Sequence, residues 1–163
     1  MLRRARGMTL VELLVVMAIA AIGTKLAAPG IAQLLANYKV RGVAEAIVSG
    51  LNFARGEAAR RNSPVSFALA TDGGWTIQQV STSSTLLSRS AADLAGATVA
   101  SSSSATSVTF VATGLVQSGT QMTQVNISSP ASNTQTRRIN IFGGGLIRMC
   151  DPGVTTASDP RKC

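Results

Sequence analysis

Histidine is missing from all 163 residues, which removes imidazole catalysis and His-ligated metal sites from consideration. Charge is scarce as well: Asp, Glu, Lys and Arg together make up 13% of the chain, about half the share usual in globular proteins. The seven carboxylates are scattered. Glu45 and Glu57 fall in helical pattern, while Asp72, Asp93, Asp151 and Asp159 fall in loops, and no paired acid–base site emerges. Aromatic residues are only 4%, and cysteines number two, both close to the end. Two thiols without a histidine make a poor metal site and a poor nucleophile–base pair. Gly143-Gly144-Gly145 carries no phosphate-loop pattern and reads as a turn. The residues therefore point away from an enzyme, and no metal or cofactor is implied. There is no internal repeat.

What the chain does have is one long apolar run. Leu13 to Ile22 is unbroken, with Glu12 before it and Lys25 after it. As a helix, Met8 to Ala28 would span roughly 30 Å, the hydrocarbon thickness of a bilayer. Arg3, Arg4 and Arg6 precede the run, so the positive-inside rule keeps the amino terminus in the cytoplasm and sends the rest across. A secretory signal peptide would place its small-residue cleavage site after the apolar run, where Gly23-Thr24-Lys25 fits poorly. A plain anchor leaves Gly7 and Glu12 without a purpose. A carboxylate so near the start of a membrane helix is costly and needs a partner, which marks Glu12 as functional.

The block GMTLVELLVVMAIAAIG resembles the amino terminus of the type IV pilin superfamily, which includes pilins, minor pilins and the pseudopilins of type II secretion. The resemblance implies a leader, residues 1–7, removed by prepilin peptidase directly after Gly7. Met8, where the family usually has Phe, becomes the mature terminus and is methylated, and Glu12 becomes the fifth mature residue. Loss of the three leader arginines leaves 12 basic against 7 acidic residues. The resemblance further implies a single-pass inner-membrane protein that joins other pilins or pseudopilins in a periplasmic or extracellular filament. The amine freed on Met8, with a pKa of ~7.7–8.0, can lie against Glu12 of a neighbour. A buried pair of this kind sets register more than it adds stability.

Residues 8–28 thus read as the transmembrane and assembly helix, and residues 29–62 as its amphipathic continuation. Ile31, Leu34, Leu35, Tyr38, Val43, Ile47, Leu51, Ala54 and Ala58 recur in steps of three and four, the stripe expected to pack on a sheet. Pro29 and Gly30 interrupt this helix, and a kink or local melting is expected there. Asn62-Ser63-Pro64 ends it. Residues 63–163 form a β-rich globular domain. Val65–Ala70 and Trp75–Val80 flank Thr71-Asp72-Gly73-Gly74 as a hairpin. Ser81–Ser107 reads mostly as loop, with Val99 in a marginal strand. Val108–Val111, Met122–Ile127, Arg137–Ile141 and Leu146–Met149 read as further strands. The fold class is α+β: one long helix on a mostly antiparallel sheet, pilin-like. Ala54-Arg55-Gly56-Glu57-Ala58 resembles the helix end of the GspH/FimT type of minor pilins and pseudopilins.

Outside the cytoplasm Cys150 and Cys163 are expected to pair, closing a 14-residue loop worth roughly 3 kcal/mol in the chain-entropy account. Arg137, Arg138, Arg148, Arg161 and Lys162 gather around this tail, a charge pattern that could meet DNA phosphates. FimT-type minor pilins of competent bacteria are associated with DNA through Gly-Arg-x-Arg before a closed tail. Here Gly145-Leu146-Ile147-Arg148 keeps only the second arginine. The readings, in order, are a minor pilin of a type IV pilus, the minor pseudopilin H of a type II secretion system, and a DNA-binding minor pilin for natural transformation.

Overall fold

The computed structural model describes residues 9–94 and 96–163, so the leader and the Gly7–Met8 junction lie outside the described residues. One helix, α1 (Leu10–Arg61), carries the whole fold; its 52 residues span roughly 80 Å. Thr9 caps its start, its hydroxyl accepting from the Glu12 N–H at 3.3 Å. Its end is set by Asn62, which takes the left-handed conformation (φ 48°) and donates its N–H back to Ala58 and Ala59. The helix passes Pro29 and Gly30 without interruption. In the isolated chain, then, the one backbone bond that proline removes does not melt the turn, because the flanking bonds of the ladder persist.

The last turn also holds a local ion cluster. The Glu57 carboxylate accepts from Arg60 at 2.8 and 2.6 Å and from Arg61 at 2.7 Å. These donors, Arg60 first, hold it down to a pKa of about 2. A depressed carboxylate stabilises the fold fully above its ordinary value of 4.5, and the contribution is lost as pH falls through about 2. The gap in urea midpoint between the protein and Glu57→Gln should therefore narrow steadily across that acid window and stay constant above it.

Among the described residues eight strands follow: β1 (Val65–Leu69), β2 (Trp75–Gln79), β3 (Ser84–Arg89), β4 (Thr98–Ser101), β5 (Ser107–Phe110), β6 (Gln124–Ser128), β7 (Arg137–Ile141) and β8 (Ile147–Cys150). They make two four-stranded sheets, ordered β3-β2-β1-β5 and β4-β6-β7-β8, and every strand pairing is antiparallel. The β1–β2 hairpin closes with Leu69 opposite Trp75 around a turn in which Gly73 has φ +88°. Within Ser81–Ser107, expected to be mostly loop, lies the well-paired strand β3. Its side chains are exposed except for partly buried Leu86, so no alternation of apolar residues announces it. Its order comes from the ladder with β2, Trp75 opposite Arg89 through Gln79 opposite Ser84. Val99 is buried in β4, as the marginal strand reading required.

The core lies between α1 and both sheets. Val40, Val43, Ala44, Ile47, Leu51, Ala54 and Ala58 face Val65, Phe67, Ile77, Val108 and Phe110 of the first sheet and Val125, Ile127, Ile139 and Ile141 of the second. Phe67 and Trp75 stack with ring centroids 5.3 Å apart. Gly50 lets them reach the helix: a Cβ there would stand 3.0 Å from the Trp75 ring and 3.3 Å from Phe67. One part of the expected stripe is corrected. Ile31, Leu34, Leu35 and Tyr38 are exposed, and the buried seam begins instead at Ala36 and Val40. The spacing was helical, but this apolar stripe lies outside the seam that meets the domain.

Candidate functional site: a bare helix half and a closed tail

From Leu10 to Ala32 every residue of the helix is exposed among the described residues. Leu10, Val11, Leu13, Leu14, Ile19, Ile22 and Leu26 are all more than half exposed. By length and composition this helix can cross a membrane, and none of its most apolar stretch is buried in the protein. Glu12 sits in the first turn, and its carboxylate has no hydrogen-bond or ion-pair partner among the described residues. Thr9 and Glu12 have the spacing of a capping box, with one of its two bonds made. Sequence reading passed over Thr9, although Thr-x-x-Glu ahead of an apolar run is the usual signal. A carboxylate at a helix N-terminus also meets the positive end of the helix dipole.

The domain takes hold of the helix just beyond Pro29. Gln33 donates its side-chain amide to the Asn133 carbonyl, and the Asn37 side-chain oxygen accepts from the Gln135 N–H at 2.8 Å. Both contacts come from the loop between β6 and β7. Helix burial starts there, at Ala36. At the far end, Arg55 donates to the Gly145 carbonyl at 3.0 Å and pins the β7–β8 turn. Arg55 lay inside the sequence match to the family's helix end, but its partner is 90 residues away and no local pattern could name it.

Cys150 and Cys163 are joined in a disulfide, with Cα atoms 5.1 Å apart. The tail is also hydrogen-bonded to β8. Arg148 donates to the carbonyls of Pro160 (2.9 Å) and Lys162 (3.0 Å), and the Asp151 N–H to that of Arg161 (2.7 Å). Asp151 is buried, accepts from the Gly153 N–H at 2.9 Å and forms an ion pair with Arg137. Arg161 pairs with Asp159 at 2.7 Å and holds that carboxyl at about 2. Arg138 donates to the Asn126 side chain at 2.9 Å. All four tail arginines thus have internal acceptors. Arg137 and Arg161 share one open cavity of about 270 Å³, and the structure adds Arg41 of α1 to them, itself paired with Glu45 at 2.8 Å. Arg148 is spent on the tail backbone. Among the described residues no group of three His, Cys, Asp or Glu side chains could hold a metal ion.

Replacing both Cys150 and Cys163 by Ser should lower unfolding stability by about 2–3 kcal/mol in urea melts. Because Arg148 and Asp151 still bind the tail backbone, circular dichroism of the double variant should match the parent below the transition.

The sequence model of the family described as Type II transport protein GspH matches residues 43–145, and that of the prokaryotic N-terminal methylation motif matches residues 2–24. No curated protein matches the chain. Two crystal structures of the type IV minor pilin FimU from Pseudomonas aeruginosa (strain PAO1) share the fold. One has a TM-score of 0.58 at 20% identity, covering 73% of this chain and 96% of FimU. The other has a TM-score of 0.56 at 21% identity, covering 71% and 99%. With the methylation motif at its head and one helix laid on antiparallel sheets behind it, the chain belongs to the GspH family of the type IV pilin superfamily.

Proposed function

We propose that this protein is a minor pilin, cut by prepilin peptidase between Gly7 and Met8 and assembled through α1 into a type IV pilus as an initiating or tip component. Residues 1–7 act as leader, 8–28 as membrane span and then filament core, 29–62 as the helix bridging to the domain, and 63–163 as the exported domain. The observation that supports this most is the bare helix half, with Glu12 unpartnered among the described residues and lying within the match to the methylation motif, residues 2–24. In the inner membrane the bilayer covers that half, with the amino terminus in the cytoplasm; in a filament, the helices of other pilins do. Glu12 then meets the methylated amine of Met8 on a neighbouring subunit, and Pro29-Gly30 is where the helix gives as subunits pack. Glu12→Ala should cut recovery in sheared filaments at least about tenfold, in line with the cost of a lost buried charge pair, while membrane levels hold. Undiminished recovery would remove Glu12 from the assembly role.

The family's description supports a second reading, a pseudopilin of type II secretion. Deleting the pilus assembly ATPase or its secretion counterpart separates the two: the one whose loss strands the protein in the membrane is its own system. A DNA-binding role would rest on Arg137, Arg138, Arg148, Arg161 and Lys162, and each of the four arginines already donates to an internal acceptor. Absence of a gel shift at low salt would end it.

A further inference from the structure

The outer sides of the edge strands are treated unequally. That of β5 is taken up by the segment that follows it, where Gln117 donates its N–H to the Thr109 carbonyl at 2.8 Å and Met122 to that of Ser107 at 2.7 Å. The closed tail covers β8, through the Asp151–Arg161 bond and the two carbonyls bound to Arg148. β4 lies against the β1–β2 turn, where a Cβ on Gly73 would stand 3.7 Å from the Val99 nitrogen. β3 is bare. Among the described residues no segment other than β2 makes a backbone hydrogen bond to it, and of its N–H groups Ser84 alone finds a side-chain acceptor, Thr82 at 3.4 Å. Its sequence, STLLSR, has no proline and a single charge. Apart from the bulge that leaves Leu86 without an opposite residue, the usual protections of an open edge are missing.

Beside this edge an open, mostly apolar groove of about 230 Å³ runs between α1 and β3. Gly50 and Phe53 of α1, Trp75 of β2, and Leu87 and Arg89 of β3 line it. Phe53 and Leu87 are 40% and 41% exposed. Leu87 stands opposite Ile77, and Arg89 opposite Trp75, both core residues, so Leu87 and Arg89 share one face two residues apart. Unlike the tail arginines, Arg89 enters no ion pair and its guanidinium has no hydrogen-bond acceptor among the described residues.

We propose that β3 is a docking edge for an extended segment of a different protein, which adds a fifth strand to the first sheet. The segment seats a large apolar side chain in the groove against Phe53 and Leu87, and sets a carboxylate against Arg89. Main-chain bonds along the edge supply attachment, while the groove and Arg89 supply the choice of partner. The spacing of Leu87 and Arg89 gives the recognised pattern: an acid and a large apolar residue two positions apart. Charge selects the occupant. β3 contains no carboxylate, so the β3 of a second copy, paired edge to edge, would leave Arg89 unanswered. The site does not depend on which filament system takes the protein.

The test uses the full-length chain in detergent micelles and a fluorescent peptide, acetyl-Thr-Glu-Thr-Leu-Thr-Glu-Thr-amide, whose acids flank the leucine so that either strand direction is served. Fluorescence anisotropy, referenced to empty micelles, should show saturable binding. Arg89→Glu should weaken it about fivefold, and a peptide with lysine in place of both glutamates should bind that variant as the parent peptide binds the parent protein. This exchange also shows that the variant is folded. Methylating the backbone nitrogens of the leucine and the two threonines beside it should weaken binding at least about tenfold, because the donors to the edge are lost whichever residues face it. Absence of saturable binding overturns the proposal. So does binding indifferent to both Arg89→Glu and backbone methylation, or a dimer in sedimentation velocity that excludes the peptide, which would put a second copy on the edge.

Discussion

Gly145→Ala should destabilise the globular domain by more than about 3 kcal/mol and lower its Tm by at least about 10 °C. Gly145 has φ +78°, in the left-handed region where an L side chain is strained. A Cβ at that position would stand 2.1 Å from the Gly114 carbonyl oxygen. That obstacle is backbone, itself part of a turn with Gly114 at φ +77°, so no rotamer change can relieve it. The two turns would have to part, and the Val116–Gly143 bond (3.0 Å) and the Arg55–Gly145 bond (3.0 Å) would go with them. Gly143 and Gly144 give the internal control, because a Cβ on either meets nothing within 4 Å. Alanine at those two positions should shift stability by less than about 0.5 kcal/mol. Equal melting of Gly145→Ala and Gly144→Ala would contradict the close approach.

Phe67→Ala comes next, with an expected loss of about 3–5 kcal/mol. Phe67 is fully buried, pairs across the hairpin with Ile77 and stacks on Trp75, so its removal opens the contact between the first sheet and α1. The cavity can be checked through Gly50. In the parent, Gly50→Ala sets about 1 kcal/mol of helix propensity against crowding with both rings, and little net gain is expected. In the Phe67→Ala background the same substitution should be clearly stabilising, because part of the crowding has gone and part of the void is filled. A coupling energy near zero in this double-mutant cycle would show that Gly50 and Phe67 do not share the space.

How much of this was legible in the sequence depended on the distance over which each interaction acts. The apolar half of the helix, the helix end at Asn62, the hairpin around Gly73 and the strands β5 to β8 all announced themselves within a few residues, through hydrophobic period or turn chemistry. β3 did not, since its exposed serines and threonines carry no alternation and its order is lent by β2. Ile31, Leu34, Leu35 and Tyr38 had the right period, yet period identifies a face without saying what covers it. The contacts that shape the candidate site were the least readable. Gln33 with Asn133 and Arg55 with Gly145 join residues 100 and 90 positions apart. Arg137, Arg138 and Arg148 looked like free charge because the buried Asp151, the Asn126 side chain and the tail carbonyls that accept from them are brought near by the fold, whereas Arg161 pairs with Asp159 only two residues before it.

The grip of the β6–β7 loop on Gln33 and Asn37 has a mechanical consequence. Two hydrogen bonds from one loop hold the helix from the side, so the direction in which its bare half leaves the domain is set at Gln33 and Asn37, and the β6–β7 loop is the first part of the domain to feel a displacement of that half.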